Sequence, residues 1–280
     1  QNSRIVQLAG KEMSYNNYVD IISAAALVEE FSEPMVAVIK HTNPCGAAVA
    51  EDLAMAFVNA RAGDPQSAFG GIVAANRTID EKTAKLIHET FFVCIIAPDF
   101  SEGALAVLKT KKNLRLLKKT ESVTRDSLEF RYLPIGLLAQ EPDTVSLDPK
   151  KLSGVTKRIP DSEEEKDLFF AWKIVKHVKS NAIVFAAKGQ ILGVGAGQMS
   201  RVDSVKLAHF KADQAGHELK GAVMASDAFF PFRDGIDAAA RAGITAVIQP
   251  GGSVRDQEVI DAANEHNISM IFTNIRHFKH

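Results

Sequence analysis

Short apolar runs of strand length, alternating with stretches of helical period, constrain this chain more than any other feature. Pro34–Ile39, Gly71–Ala75, Phe91–Ala97, Ala222–Ala225, Ile244–Ile248 and Ile268–Phe272 are nearly free of polar residues, as strands buried on both faces must be. Between them the spacing predicts helices from Asn16 or Asn17 to about Phe31, and over Asp52–Ala62, Asp80–Thr90, Glu102–Lys109, Val202–Gly216, Gly235–Ala242 and Asp256–Glu265. A further helix opens with the capping box Ser162-x-x-Glu165 and turns Leu168, Trp172 and Val175 to one face. Ala182–Ala187 and Ile191–Val194 flank Lys188-Gly189 as a hairpin. The alternation specifies an α/β protein. Charge, Pro and Thr increase between about Lys118 and Pro160, where Phe130–Tyr132 and Gly136–Ala139 read as short strands. This gives a first lobe over 1–118, a crossover over 119–160 and a second lobe over 161–280. Ala97-Pro98-Asp99 and Gln249-Pro250-Gly251 hold the same strand-to-helix position in each half, which suggests that the lobes are related.

With 280 residues, 46% of them hydrophobic, the chain has enough apolar surface for a sizeable core. A net charge of −1 supplies no basic field for a nucleic-acid backbone, so no nucleic-acid partner is expected. No apolar run approaches membrane-spanning length and no charged-then-apolar leader follows Gln1, so a cytoplasmic protein with no membrane partner is expected. Gln1 itself suggests residues upstream. Cys45 and Cys94 lack metal-ligand spacing and fit a reducing compartment.

Lys40-His41-Thr42-Asn43-Pro44-Cys45-Gly46 sets a cation beside an imidazole where an apolar strand gives way to a Pro/Gly turn. His moves protons at cellular pH, and a neighbouring Lys stabilises developing negative charge. Cys45, fixed between Pro44 and Gly46, reads as a small buried thiol. Gly193-x-Gly195-x-Gly197 lacks the third-glycine spacing of a dinucleotide fingerprint and follows a hairpin strand, so no nucleotide cofactor is expected there. It reads either as a backbone N–H cradle before Arg201 or as a tight turn with Ser200 as N-cap. Ser67-Ala68-Phe69-Gly70-Gly71 is likewise a turn or a place where ligand approaches backbone. Phe229-Phe230-Pro231-Phe232-Arg233-Asp234 offers an aromatic wall for a flat ring or a plug between lobes; Asp227 and Asp234 are candidate acceptors for an amino-bearing heterocycle, with Arg233 pairing with either. The basic ending, Arg276 to His280, is by default a frayed tail.

Taken together, Ser14-Tyr15-Asn16-Asn17, the Lys40–Gly46 and Ser67–Gly71 segments, Ser180-Asn181-Ala182, Gly195-Ala196-Gly197-Gln198-Met199-Ser200-Arg201, Ser226-Asp227-Ala228-Phe229-Phe230-Pro231-Phe232 and the Arg276–His280 ending resemble one family. It is the bifunctional purine-biosynthesis family, in which 5-aminoimidazole-4-carboxamide ribonucleotide (AICAR) transformylase is joined to inosine monophosphate cyclohydrolase. The resemblance, to the transformylase part, covers essentially the whole chain. It implies two cytidine-deaminase-like lobes in a three-layer αβα fold, and a homodimer with active sites at the subunit interface. It also implies formyl transfer from 10-formyltetrahydrofolate to AICAR and a monovalent cation such as potassium. No other metal is assigned. The chemistry asks for a base near the weakly nucleophilic AICAR amine, which suits His41, with Lys40 supplying charge and Asn181 orienting the reacting groups. The resemblance places Gly70, Arg201, Phe229, Phe232, Asp234, Arg276 and His280 around nucleotide and folate.

Two departures from the family pattern stand out. The cyclohydrolase domain and the Arg-Tyr-Gly-Glu-Asn-Pro-His-Gln segment that helps hold the phosphate are absent from this sequence, and Val93 aligns where bacterial relatives commonly carry an acidic residue. Two rival readings follow. One is a catalytically impaired nucleotide-binding or interaction subunit. The other is a zinc deaminase, which lacks its ligands here, since Ala48 stands where the second Cys of a Pro-Cys-x-x-Cys would be.

Overall fold

The computed structural model describes residues 4–123 and 128–280; Gln1 and part of the expected crossover lie outside them. Strand β1 (Ile5–Ala9) precedes α1 (Tyr15–Glu29), which starts where Ser14 and Asn17 each accept the other's backbone N–H in a reciprocal capping box. The chain continues through β2 (Met35–Lys40), β3 (Asn43–Val49), α2 (Leu53–Ala62), the single turn α3 (Pro65–Ala68), β4 (Ile72–Ala75), α4 (Glu81–His88), β5 (Cys94–Ala97), α5 (Glu102–Leu108) and β6 (Arg115–Lys119). An exposed hairpin, β7 (Glu129–Leu133) and β8 (Gly136–Gln140), and the short β9 (Ser153–Gly154) lead to α6 (Ser162–Val175). Then come β10 (Ile183–Ala187), β11 (Gln190–Gly195), α7 (Arg201–Gln214), β12 (Val223–Ser226), α8 (Asp234–Ala242), β13 (Ala246–Gln249), α9 (Asp256–Glu265) and β14 (Ser269–Phe272).

One mixed sheet runs through the molecule in the order β1-β6-β5-β4-β2-β3-β11-β10-β12-β13-β14-β9. Helices α1 and α6 share a core on one face, while α2, α4 and α5, and separately α7, α8 and α9, cover the other, giving three αβα layers. From α1 to β6 and from α6 to β14 the elements follow the same order, apart from the inserted turn α3. In each half an antiparallel hairpin is followed by three strands parallel to one another. The halves join where β3 and β11 run antiparallel, with Gln190 opposite Ala48. That antiparallel seam puts the two hairpin turns at opposite ends of the sheet. In both halves a glycine lets the second hairpin strand lie directly on the following helix: a Cβ on Gly46 would meet the Ala60 carbonyl at 1.8 Å, and one on Gly193 would meet that of Ala208 at 2.2 Å.

The structure corrects two local expectations. Residues 43–46, read as a turn, open strand β3; Pro44 is tolerated there because the register of β2 and β3 slips between Val38 and Ile39. The capping box of α6 is shifted by one residue. Asp161 accepts from Glu163 N and Glu164 N, and Glu164, gripped by both nitrogen–oxygen contacts of Arg158 at 2.7 Å, reaches back to Asp161 N.

Where α1 and α6 end, Glu30 meets Lys176 at 2.5 Å and His177 at 3.3 Å. Burial opposes the charge on Glu30, but hydrogen bonds from His177 and Lys176 and the Lys176 charge outweigh it and bring its pKa down to about 2. Burial drives His177 down to about 4, with the Glu30 contact offsetting only part of the effect. Both folded values lie below the unfolded ones, so the unfolded chain binds more protons as the solution is acidified. Stability should therefore hold above about pH 6.5, fall as the pH drops from 6.5 towards 4, and keep falling below 4.5 as Glu30 contributes. Denaturant midpoints measured across that range, with His177→Asn flattening the upper window, check this.

Candidate active site

Strand β2 ends at Lys40, and a two-residue turn, His41-Thr42, leads straight into β3, with Lys40 opposite Asn43. Both turn residues are left-handed, with φ of 53° and 64°, the signature of a type I′ hairpin usually built from Asn and Gly. Holding His and the β-branched Thr there costs on the order of 1–3 kcal/mol each, a cost met only where surroundings over-determine the turn. Two side chains do so. Asp20 Oδ1 of α1 accepts Thr42 N–H at 2.7 Å, while Asn43 donates to the His41 carbonyl at 3.2 Å and accepts Lys179 N–H at 2.9 Å. The imidazole of His41 is left exposed.

Lys40 Nζ donates to the Phe69 carbonyl at 2.8 Å, which draws the Gly70 loop to the same place. Gly70 has φ of +74° and donates to Phe91 O at 2.8 Å; the exposed rings of Phe69 and Phe91 lie 5.3 Å apart beside it. A cleft of about 220 Å³ opens here, lined among others by Lys40, His41, Cys45, Asp64, Ser67 and Lys211. Burial opposes ionisation of Asp64, but Ser67 and Lys211, the latter 3.1 Å away, hold its carboxyl below the ordinary range. Desolvation, reinforced by Asp64, pushes the Cys45 thiol up to about 12, so it is no nucleophile near neutral pH. It donates instead to Val38 O at 3.3 Å. A larger cavity of about 830 Å³, walled by Phe31, Phe169, Phe170 and Trp172, contains none of the residues nominated from sequence.

Asn43 ties this turn to a second cluster. Asn181, joined to Ser180 by a cis peptide, donates from its side-chain amide to Gln198 O at 2.9 Å and Met199 O at 3.1 Å. Its Oδ1 accepts from Arg201 at 2.8 Å. Arg201, at the first position of α7, also donates to Ser226 Oγ at 2.9 Å and pairs with Asp227. Asp227 is fully buried and takes Ala182 N–H at 3.1 Å and the Ser180 hydroxyl as well. Asp227 therefore serves Arg201 and the backbone rather than a bound heterocycle, and Arg201 is 7% exposed with its guanidinium engaged inside the protein. Arg233 pairs with neither Asp227 nor Asp234. It closes on Asp237 and Glu265, whose carboxylates lie on its own helix face and on α9.

The chain ending is not frayed. His277 is buried against Trp172 with 4.9 Å between ring centroids, binds Asp143 at 2.6 Å and donates its N–H to Asp227 O, while Lys279 O accepts from Ser180 N. This docking presents Arg276 and His280 outward on either side of Phe278. Phe229 is half-buried; Phe232 is exposed beneath the Arg255 guanidinium at 4.9 Å; Asp234, exposed, opens α8 and accepts Gly235 N–H. The structure thus gathers Lys40, His41 and Gly70 in one group, and Asn181, Arg201 and the tail in another, bridged by Asn43. Asp20, Asn43, Asp64 and Lys211 escaped sequence reasoning as site residues; only Asn43, inside the quoted motif, carried a signal.

The family model described as the AICARFT/IMPCHase bienzyme matches residues 1–211. The chain is 56% identical over 274 residues to the bifunctional purine biosynthesis protein PurH of Aquifex aeolicus, and 53% identical over 276 residues to that of Chlorobaculum parvum. Each alignment covers 98% of this chain and 53% of the relative. The chain belongs to the AICARFT/IMPCHase bienzyme family. It spans about half the length of the curated relatives it matches. Among solved structures, a deaminase/reductase from Thermotoga maritima matches 39% of this chain and 34% of its own at 18% identity, with a TM-score of 0.26, too low to define a shared fold.

Within this bienzyme-family chain, the Arg201–Asp227 pair fixes both the 180–182 segment and the tail. Removing one member of a buried ion pair strands the other, at a cost of about 3–5 kcal/mol. Arg201→Ala should lower unfolding stability by that order, read by chemical denaturation, and loosen the 180–182 segment by freeing Asn181 Oδ1 and leaving Asp227 unpaired, read by faster hydrogen exchange of residues 180–182.

Proposed function

We propose that this chain transfers a formyl group from 10-formyltetrahydrofolate to the 5-amino group of AICAR, giving formyl-AICAR and tetrahydrofolate, in cytoplasmic purine biosynthesis. The observation that carries this reading is the His41 turn beside Lys40, held in a costly conformation and open to ligand, in a chain so similar to bifunctional purine biosynthesis proteins.

The AICAR amine is aniline-like, so its attack on the formyl carbon needs proton removal in step with bond formation. His41 takes that proton as the nitrogen–carbon bond forms, and Lys40 faces the oxyanion of the tetrahedral intermediate. Collapse expels N10 of the folate, which regains a proton, and the formyl group stays on AICAR. Asn181 Oδ1 spends one acceptor site on Arg201 and keeps the other to orient the amine. Gly70, Phe229, Phe232 and Asp234 surround nucleotide and folate, Arg276 and His280 meet the anionic parts, and Arg201 acts through Asn181. The active form is read as a homodimer whose second subunit completes this cleft of about 220 Å³. The two halves of the sheet are read as cytidine-deaminase-like lobes. A monovalent cation such as potassium is included with a structural role.

His41→Ala should reduce formyl transfer by at least about a hundredfold with folding intact, and near-normal turnover would reject the assignment. Arg276→Ala should weaken AICAR roughly ten- to a hundredfold, the loss of one charge-assisted contact, and its dephosphorylated nucleoside far less. Calorimetry giving equal losses for both would remove Arg276 from phosphate recognition.

A further inference from the structure

The two halves of the sheet build the same hairpin turn twice. His41 and Thr42 have φ of 53° and 64°; Lys188 and Gly189, which join β10 to β11, have 54° and 66°. In both hairpins the register slips at the matching place, after Val38 in one and after Phe185 in the other. Each turn is also capped by a carboxylate from the helix before it. Asp167 of α6 accepts Lys188 N–H and Gly189 N–H, both at 2.8 Å, and Asp20 of α1 accepts Thr42 N–H at 2.7 Å. Asp20 and Asp167 are each the sixth residue of their helix, and the interval between them equals that between His41 and Lys188.

The difference lies in what the turn holds. Gly189 adopts a positive φ without a Cβ penalty, so the second turn holds a single left-handed side chain, Lys188, with Asp167 bracing both of its N–H groups. Thr42 carries a branched Cβ in the same slot, and His41 precedes it. We propose that Asp20 is a positioning residue for His41: by accepting Thr42 N–H it keeps the His41-Thr42 turn left-handed and thereby aims the imidazole into the cleft. The carboxylate does not touch the reacting atoms in this role; it acts through the backbone of the turn. The inference rests on the formyl-transfer reading, in which His41 is the base.

The test uses Asp20→Ala, Asp20→Asn, Thr42→Gly and the double variant Asp20→Ala/Thr42→Gly, assayed with AICAR and 10-formyltetrahydrofolate. Misplacing a base by about an ångström costs up to roughly a hundredfold, so Asp20→Ala should lose about ten- to a hundredfold in kcat with little change in KM. Asp20→Asn retains an acceptor oxygen and should lose much less. Thr42→Gly, which puts glycine where the second turn has Gly189, should restore most of the kcat lost in Asp20→Ala, a rescue that general destabilisation of α1 would not show. Amide hydrogen exchange at Thr42 should accelerate in Asp20→Ala. Wild-type kcat in Asp20→Ala, or a loss that Thr42→Gly leaves in place, overturns the proposal. If the unaltered chain transfers no formyl group, the formyl-transfer reading fails instead, while exchange at Thr42 still decides whether Asp20 holds the turn; unchanged exchange in Asp20→Ala overturns that.

Discussion

The pairing of Arg201 with Asp227 organises this molecule more than any other contact. Two opposite charges with side chains 6% and 1% exposed are favourable only if nearly every lone pair and proton finds a partner, and here the partners come from Ser226 and from residues 180–182. Ser226 and Asn181 take the remaining guanidinium hydrogens described, and Ala182 N–H and the Ser180 hydroxyl fill the carboxylate. The backbone carbonyl of Asp227 accepts from His277 and so anchors the tail. One buried pair therefore joins the end of β12, the start of α7, the approach to β10 and the last residues of the chain. Lys179, next to that segment, then holds Asn43 through its N–H, and through Asn43 the His41 turn. A change at this pair would alter the shape of the site without touching a ligand.

How much of this was legible in the sequence depended on whether the signal was local. Helices showed themselves because their caps and apolar faces lie within a few residues, and central strands because burial on both faces strips them of polar residues. Strands β1, β6 and β9 went unseen. They lie towards the edges, where Arg115, Lys118 and Lys119 break the apolar run while their stems still pack. Strand β3 was hidden by Pro44 and Gly46, which mark turns elsewhere but here serve a register slip and a close helix contact. For the site, Lys40 and His41 were visible as a costly pair at a strand end. The roles of Arg201, Asp227 and Asp20 were not, because a buried partner twenty or more residues away leaves no mark in the local pattern. The default reading of the tail as frayed fails for the same reason: nothing near Arg276 to His280 in the sequence shows that His277 packs against Trp172.

The internal repeat explains why the candidate site occupies only one end of the sheet. At the far end, the turn Lys188-Gly189 lies beside Val49 and borders the larger cavity, in the position His41 holds near β11. The counterpart of Asp227 there is Asn76, at the end of β4, whose Oδ1 accepts Met35 N–H as Asp227 Oδ1 accepts Ala182 N–H. Asn76 completes its bonding with the Phe31 and Glu33 carbonyls. A neutral amide satisfied by backbone needs no buried arginine: the guanidinium beside it, Arg77, donates to the Asn76 and Ser32 carbonyls instead, and the turn there carries Lys188 where the other carries His41. The end that holds the candidate site combines unlike parts, a strained turn from the first half and a charged hub from the second. Neither half holds the set alone; the seam between β3 and β11 fixes their spacing, and Asn43 spans the gap.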